Sequence, residues 1–264
     1  MTTSPLILWF RRDLRLSDHE AVTAAVATGR PLIPVFIYDG LVEGLGAAPM
    51  WRLGLGIERL AQSLEALGSR LILRKGDALD VLRALRAETG AGSVFWSRAY
   101  DPNAIARDKT VKAALKDEGV EALSFTGHVL FEPWTEETKT GGFYKVYTPM
   151  WKMVRDRDVP RALPAPSSLP GPENWPRSET IDAWHMGSRM RRGSAIVRPF
   201  VILGERAAQE RLDWFMEHGV AGYDTNRDLP WKDGTSRLSQ NLALGEISPR
   251  QCWHAGQEAR RQGK

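Results

Sequence analysis

The sequence predicts an α/β fold built on a doubly wound parallel sheet of five strands. Three observations carry that reading. Over the first 126 residues, short apolar runs alternate with helical patterns. The apolar runs are unbroken, as in strands covered on both faces. Strands that alternate with helices need right-handed crossovers, which give a parallel order.

Each element follows from local chemistry. Leu6-Ile7-Leu8-Trp9-Phe10, bounded by Pro5 and Arg11, reads as the first strand. A helix from His19 to Thr28 follows, with Ser17 or Asp18 placed to cap it. Leu32–Tyr38 is the second strand. Leu53, Ile57, Leu60, Leu64 and Leu67 recur at helical spacing and define a helix over Met50–Leu67. The pattern then repeats: strand Leu71–Leu73, helix Ala78–Thr89, strand Val94–Trp96, helix Pro102–Glu118 with proline in its first turn, and strand Val120–Phe125. Ligands on such Rossmann-like sheets bind beyond the C-terminal ends of the strands.

Past this region the pattern changes. Nine of the sixteen prolines lie between Phe131 and Pro199, a density that excludes long helices and regular ladders. This stretch reads as a connector with one short helix at Met150–Arg155. Gly204–His218 is helical, with Ala208, Leu212, Phe215 and Met216 on one face. A loop spans Gly219–Gly234, and another helix starts near Ser239. The expected organisation is an α/β domain over residues 4–130, a proline-rich connector over 131–200, and the start of an all-helical domain over 201–264. Helix faces around Leu212 and Phe215 are expected to lack partners and to promote association.

Composition narrows the class. The 264 residues are 42% hydrophobic and 26% charged, enough for one complete domain and part of another. A net charge of +4 permits a phosphate-bearing partner without demanding one. Cys252 is the lone cysteine, which excludes an intrachain disulfide and a thiolate metal cluster. The run Met1–Phe10 is too short for a signal-peptide core, and no stretch approaches the ~20 apolar residues of a membrane span. A cytoplasmic protein without a membrane partner is expected. The five histidines are scattered, so no metal site is expected. No phosphate-binding loop of the Gly-x-x-x-x-Gly-Lys type occurs, and Gly54 and Gly56 fall inside a helical pattern. Ten tryptophans suit core and interface packing, or stacking and electron relay around a chromophore.

Several segments bring chemistry together. Arg11-Arg12-Asp13-Leu14-Arg15 follows the first strand and reads as a loop neutralised by Asp13 and packed against another domain. Arg98-Ala99-Tyr100-Asp101 follows the fourth strand, where ligands bind on this architecture. Gly234-Thr235-Ser236-Arg237-Leu238-Ser239 presents hydroxyls and backbone N–H groups at a helix start. Such an end holds an anion, and it serves equally as an ordinary helix cap. Arg227 can fork onto a phosphate or pair with Asp228. Met186–Arg211 carries six arginines (Arg189, Arg191, Arg192, Arg198, Arg206, Arg211) against Glu205 and Glu210. That excess reads as a surface tracking a phosphate backbone, or as a solvated face.

Two of these strings resemble the photolyase and cryptochrome family. Trp-Phe-Arg-Arg-Asp-Leu-Arg-Leu-Ser-Asp, from Trp9 to Asp18, is similar to the family's opening signature, with His19 in place of its usual asparagine. Gly-Thr-Ser-Arg-Leu-Ser, followed by Leu-Ala-Leu-Gly-Glu-Ile-Ser-Pro-Arg ending at Arg250, resembles the segment with which photolyases hold the FAD pyrophosphate. Gln240-Asn241 departs from the proline-plus-aromatic or histidine pair of many members. The resemblance implies a class I, cyclobutane pyrimidine dimer photolyase-like protein with FAD in its helical domain. It implies deoxyribodipyrimidine photo-lyase activity: light-driven electron transfer from reduced FAD to a pyrimidine dimer flipped out of damaged DNA. Thr235, Ser236, Arg237, Leu238 and Ser239 would form the FAD cradle, Tyr223 would close on the flavin nucleotide, and Arg227 would contact DNA. Asp101, where many relatives have glutamate, would help hold an antenna chromophore, a methenyltetrahydrofolate or a deazaflavin. In relatives, the residues facing the flavin ring and the dimer come after the region matched here. The chain is therefore expected to be a fragment with little or no repair activity alone. The complete protein is expected to be a monomer without an obligate protein partner. A cryptochrome-like blue-light photoreceptor and a non-enzymatic chromophore- or nucleotide-binding α/β module remain alternatives.

Overall fold

Pairing of the apolar runs produces one parallel sheet. The computed structural model describes residues 4–135 and 141–264. Its strands are β1 (Leu6–Phe10), β2 (Leu32–Tyr38), β3 (Ile72–Lys75), β4 (Ser93–Ser97) and β5 (Glu121–Phe125), in the spatial order β3-β2-β1-β4-β5. Every neighbouring pair is parallel. The chain winds outward from β1 to β3 and then returns to β4 beside β1, so the winding reverses between β1 and β4.

Helices cover both faces: α1 (Glu20–Ala27), α2 (Gly40–Glu43), α3 (Ala47–Glu65), α4 (Ala78–Thr89) and α5 (Pro102–Asp117). The pleat sorts side chains between two cores. Leu6, Leu8 and Phe10 of β1 pack with Leu53, Ile57 and Leu60 of α3. Ile7 and Trp9 point the other way, toward Leu82 and Leu85 of α4 and Val111 and Leu115 of α5.

The strands and their helices lie where the sequence places them, with shifts at the ends. β3 runs Ile72–Lys75 instead of Leu71–Leu73 because it pairs with Val35–Tyr38 of β2. The cap of α1 is neither Ser17 nor Asp18. His19 takes that place, its Nδ1 accepting from the Val22 amide at 3.2 Å. Asp18 is unsuited to it, since its φ of 48° turns its carboxylate elsewhere.

The proline-rich stretch holds α6 (Tyr147–Val154), which starts three residues before the expected Met150, and α7 (Gly193–Val197) among short 3-10 turns. It lies against the sheet unit, with Leu169 fully buried and the Leu32 amide donating to the Pro170 carbonyl at 2.7 Å. Beyond it come α8 (Gly204–His218), α9 (Tyr223–Asn226), α10 (Ser239–Leu244) and α11 (Pro249–Arg261). No helix among the described residues is long and apolar enough to cross a membrane.

Helix α11 overturns one expectation. Leu212 and Phe215 are only 1% and 7% exposed. Leu212 packs with Ala208, Leu238 and Ile247, with Cys252 and Ala255 of α11 alongside. The hydrophobic face of α8 therefore has its partners within the chain and gives no reason for association. The start of α11 was legible: Ser248 and Gln251 form a capping box, and Pro249 occupies the first turn.

A buried polar joint fixes these helices to the sheet. Arg15, 1% exposed, donates to the carbonyls of Asp18 (2.8 Å), Gly127 (2.9 Å) and Gly245 (3.0 Å). Asp18 accepts from the Ser248 hydroxyl, from Arg250 Nε at 3.1 Å and from the Leu163 amide at 3.1 Å. Glu205 of α8 accepts from the amides of Leu16 (2.7 Å) and Ser17 (2.8 Å) and from the Ser17 hydroxyl. Arg52 of α3 forks onto fully buried Glu246 at 2.9 and 2.5 Å, and Asn241 donates to the same carboxylate at 2.7 Å. Gly56 makes room for this pair. A Cβ there would sit 2.8 Å from Leu14 Cδ1 and 3.0 Å from Glu246 Oε1.

Gly245 ends α10 at φ 65°, and a Cβ there would press into the Arg12 carbonyl and lie 2.7 Å from the Asp13 Cα. Left-handed backbone alone costs a non-glycine residue about 1–2 kcal/mol. Gly245→Ala is accordingly expected to destabilise the chain by at least ~2 kcal/mol. The urea midpoint of unfolding checks this, and an unchanged midpoint would contradict the packing described.

Candidate functional site

The winding reversal between β1 and β4 opens a cavity of about 240 Å³ at the C-terminal edge of the sheet. Arg11 and Arg12 reach it from the end of β1, Asp39 from the end of β2, and Asp101 from the turn after β4. Arg107 of α5 and His128 complete its polar lining, with Phe36, Leu41, Val42 and Leu53 supplying an apolar wall.

The charges are paired in alternation. Arg107 donates to Asp39 at 2.6 Å and to Asp108 at 2.8 Å; Arg11 donates to Asp108 at 2.6 Å. The Arg11 and Arg107 guanidinium groups each also lie 4.7 Å from the Trp9 ring centroid. Asp101 is fully engaged, capping α5 through the Ala104 amide at 3.0 Å and pairing with Arg12 at 3.0 Å. The three guanidinium groups are thus matched by the carboxylates of Asp39, Asp101 and Asp108, and the polar lining beside the apolar wall suits a polar ligand with an apolar ring system.

Behind the cavity, Asp13 and His19 are both 1% exposed and lie 3.0 Å apart. Burial works to raise the Asp13 pKa, yet the His19 hydrogen bond and the positive surroundings of His19, Arg11 and His128 hold it well below the usual carboxylate range. His128 is pushed down to about 4, mainly by burial; Asp13 opposes the shift and Arg15, Arg12 and Arg11 reinforce it. Burial likewise lowers the pKa of Arg11, against the pull of Asp108 and Asp13.

The sequence-selected residues near the C-terminal end form a second, separate group. Tyr223 is 42% exposed and meets Phe215 edge-on at 5.9 Å, while the Arg227 guanidinium lies 5.7 Å from the Tyr223 ring centroid. Arg227 is half-exposed and only 3.7 Å from Asp228, a loose pairing. Gly234 packs so closely on Asn226 that a Cβ would lie 2.6 Å from the Asn226 carbonyl, which brings the two segments side by side. Arg211 of α8 clamps the loop by donating to the carbonyls of Thr235 (2.6 Å) and Ser236 (2.9 Å) and forking onto Asp233 (2.7 and 2.9 Å). Leu238 is buried, and Arg237 (φ 56°) turns outward to Asp233 at 3.0 Å. With the carbonyls held by Arg211, the hydroxyls of Thr235, Ser236 and Ser239 form no hydrogen bond among the described residues.

This arrangement coincides with a known family. The sequence model of the DNA photolyase family matches residues 6–168. The chain belongs to the DNA photolyase family. It is 44% identical to the deoxyribodipyrimidine photo-lyase of Agrobacterium fabrum over 257 residues, 97% of this chain and 53% of that protein. A crystal structure of a class III photolyase from Agrobacterium tumefaciens superposes with a TM-score of 0.92 at 42% identity, covering 99% of this chain and 54% of that one. Cryptochrome-2 of Arabidopsis thaliana is 34% identical over 92% of this chain and 41% of that protein. This photolyase-family chain thus spans about half the length of these relatives.

Sequence reasoning found Asp101 but missed Arg11, Arg12, Asp39, Arg107 and His128 as lining of the same cavity. For Arg11, Arg12 and Asp39 the signal was available, since each lies within two residues of a strand end. Arg107 lies on α5 and gave none.

The His128 environment makes stability depend on pH. The folded state keeps this imidazole neutral down to about pH 4, whereas the unfolded chain binds a proton below about 6.5. Stability therefore falls as pH drops from about 6.5 to 4 and His128 adds nothing further below that. Replacing it by glutamine should remove about 2 kcal/mol of the loss between pH 7 and 4.5. Urea unfolding of both proteins at the two pH values checks this; identical losses would contradict it.

Proposed function

We propose that this chain forms the chromophore-side and phosphate-gripping part of a light-driven, flavin-dependent DNA photolyase. The observation that carries the reading is the 42–44% identity that extends over nearly the whole chain, including both the cavity and the Thr235–Ser239 segment. In this reading residues 4–130 form the antenna-binding domain, 131–200 the connector, and 201–264 the beginning of the FAD-binding domain. The similarity to a class III photolyase favours that subclass over the class I reading.

The donor set at Thr235, Ser236 and Ser239 suits the diphosphate of FAD, because its hydroxyls are unspent and its carbonyls are turned toward Arg211. Backbone N–H groups and hydroxyls of this kind hold phosphate oxygens without a metal. Arg237 would add charge at the rim, Leu238 anchors the loop in the core, and Tyr223 would cover the nucleotide. When bound, reduced FAD would supply the light-driven electron that splits a pyrimidine dimer. The chain's own residues would hold and orient it. Arg227, half-exposed beside Tyr223, would grip a phosphate of the damaged DNA. The switch-point cavity is the antenna site in this account, with Asp101 holding Arg12 at its mouth for a folate or deazaflavin chromophore. The 34% identity to Arabidopsis cryptochrome-2 supports a second reading, a blue-light photoreceptor with the same flavin cradle.

A chimaera in which this chain replaces the matching part of the Agrobacterium fabrum photo-lyase separates these outcomes. Bound flavin with blue-light-dependent repair of dimer-containing DNA is expected. Flavin binding without repair would favour the photoreceptor reading. The double variant Thr235→Ala, Ser236→Ala in that chimaera should lower FAD affinity about tenfold or more, as expected for lost phosphate hydrogen bonds. Unchanged flavin content would remove the cradle assignment.

A further inference from the structure

The pair Gln240-Asn241, where the sequence departs from many members of the family, has a place in the structure that the flavin cradle does not absorb. Asn241 is 1% exposed, and its side-chain amide donates to Glu246 at 2.7 Å and to the Ile202 carbonyl at 3.1 Å. Arg52 of α3 meets the same two acceptors from the side of the sheet. It forks onto Glu246 and donates to the Ile202 carbonyl at 2.8 Å. Helix α3, helix α10 and the segment before α8 therefore meet at one buried carboxylate.

Each partner belongs to one side of the Thr235–Ser239 loop. Ile202 lies two residues before α8, the helix whose Arg211 holds the Thr235 and Ser236 carbonyls. Asn241 lies two residues after Ser239, in the first turn of α10, and its backbone carbonyl accepts from the Glu246 amide at 2.8 Å. The Arg52 guanidinium thus fixes both the helix that carries the clamp and the helix that follows the loop. Such a pair is a poor choice for stability alone, because apolar side chains of similar volume often match or better a buried ion pair. Here Arg52 Nε and Asn241 Oδ1 also find no hydrogen-bond partner among the described residues, which adds a desolvation cost. What the pair supplies is direction: a planar fork fixes both the distance and the orientation of its acceptor.

We propose that Arg52 and Asn241 are positioning residues for the phosphate grip at Thr235, Ser236 and Ser239, an inference that rests on the reading of that loop as a flavin cradle. Both side chains are buried and act through the backbone. They hold α8 and α10 at the separation at which the loop's hydroxyls converge on one diphosphate.

The double variant Arg52→Met, Glu246→Leu removes both charges together, so no buried charge is left unpaired and the fold should survive. In the 264-residue chain, the Leu242 and Glu246 amides, which donate to the Leu238 and Asn241 carbonyls, should exchange about tenfold faster or more, while amides of β1 and β4 keep their rates. In the chimaera with the Agrobacterium fabrum photo-lyase, FAD affinity should fall about tenfold or more with the parent's melting midpoint nearly kept. Asn241→Leu, which leaves the ion pair in place, should lower affinity about fivefold, and it decides the matter if the double variant does not fold. Leu82→Ala opens a cavity in the opposite core as a control; it should lower the melting midpoint and leave FAD affinity intact. Unchanged affinity in the folded variants, or an equal loss in the control, would overturn the positioning role. A parent chimaera that holds no flavin would remove the cradle itself, and this inference with it. A parent that binds flavin beside indifferent variants would remove the positioning role alone.

Discussion

The buried guanidinium of Arg15 constrains the rest of the molecule. A charge removed from water is tolerated only when its donors are all engaged. Arg15 meets that condition with carbonyls from Asp18, Gly127 and Gly245, the last of these 230 residues away in sequence. No one segment can supply the three. Burial lowers its pKa, and the nearby carboxylates of Asp13, Asp18 and Glu205 work against that shift. The charge is thus satisfied only once the loop after β1, the turn after β5 and the C-terminal helices are assembled together. The left-handed turn at Gly245 and the gap at Gly56 are the backbone conditions for this assembly.

The joint relates two regions with different chemistry. On one side of the β1 loop, Arg11 and Arg12 line the switch-point cavity; on the other, Leu14 and Arg15 receive the Leu244–Gly245 turn. A single decapeptide therefore shapes the cavity lining and positions the helices that follow the Thr235–Ser239 loop. This explains why a charged string directly after a buried strand is almost entirely buried itself, with Asp13, Arg15, Asp18 and His19 each at most 2% exposed.

Much of the fold was legible because strands buried on both faces and amphipathic helices write their periods directly into the sequence. β1, β2, α4 and α8 fall on their expected residues. What escaped was set by tertiary contact. The cap of α1 passed to His19 because Asp18 is drawn to Ser248 and Arg250. The partners of Leu212 could not be seen until α11 was recognised, and its amphipathic face is visible only with Leu238 and Ile247 in place. In the cavity, strand ends marked Arg11, Arg12 and Asp39, whereas Arg107 is brought in by the packing of α5. The C-terminal segment was read from its resemblance more than from its chemistry, since hydroxyls before a helix suit a cap as well as a phosphate. The structure adds that Arg211 consumes the loop's carbonyls and leaves those hydroxyls unspent.

Site-resolved hydrogen exchange on an Arg15→Met variant tests the central role of the joint most directly. Amides of α10 and α11 should lose protection by several orders of magnitude, while those of β1, β2 and β4 keep theirs, because only the attachment of the C-terminal helices depends on that charge. Protection lost evenly across sheet and helices, or retained throughout, would contradict the account.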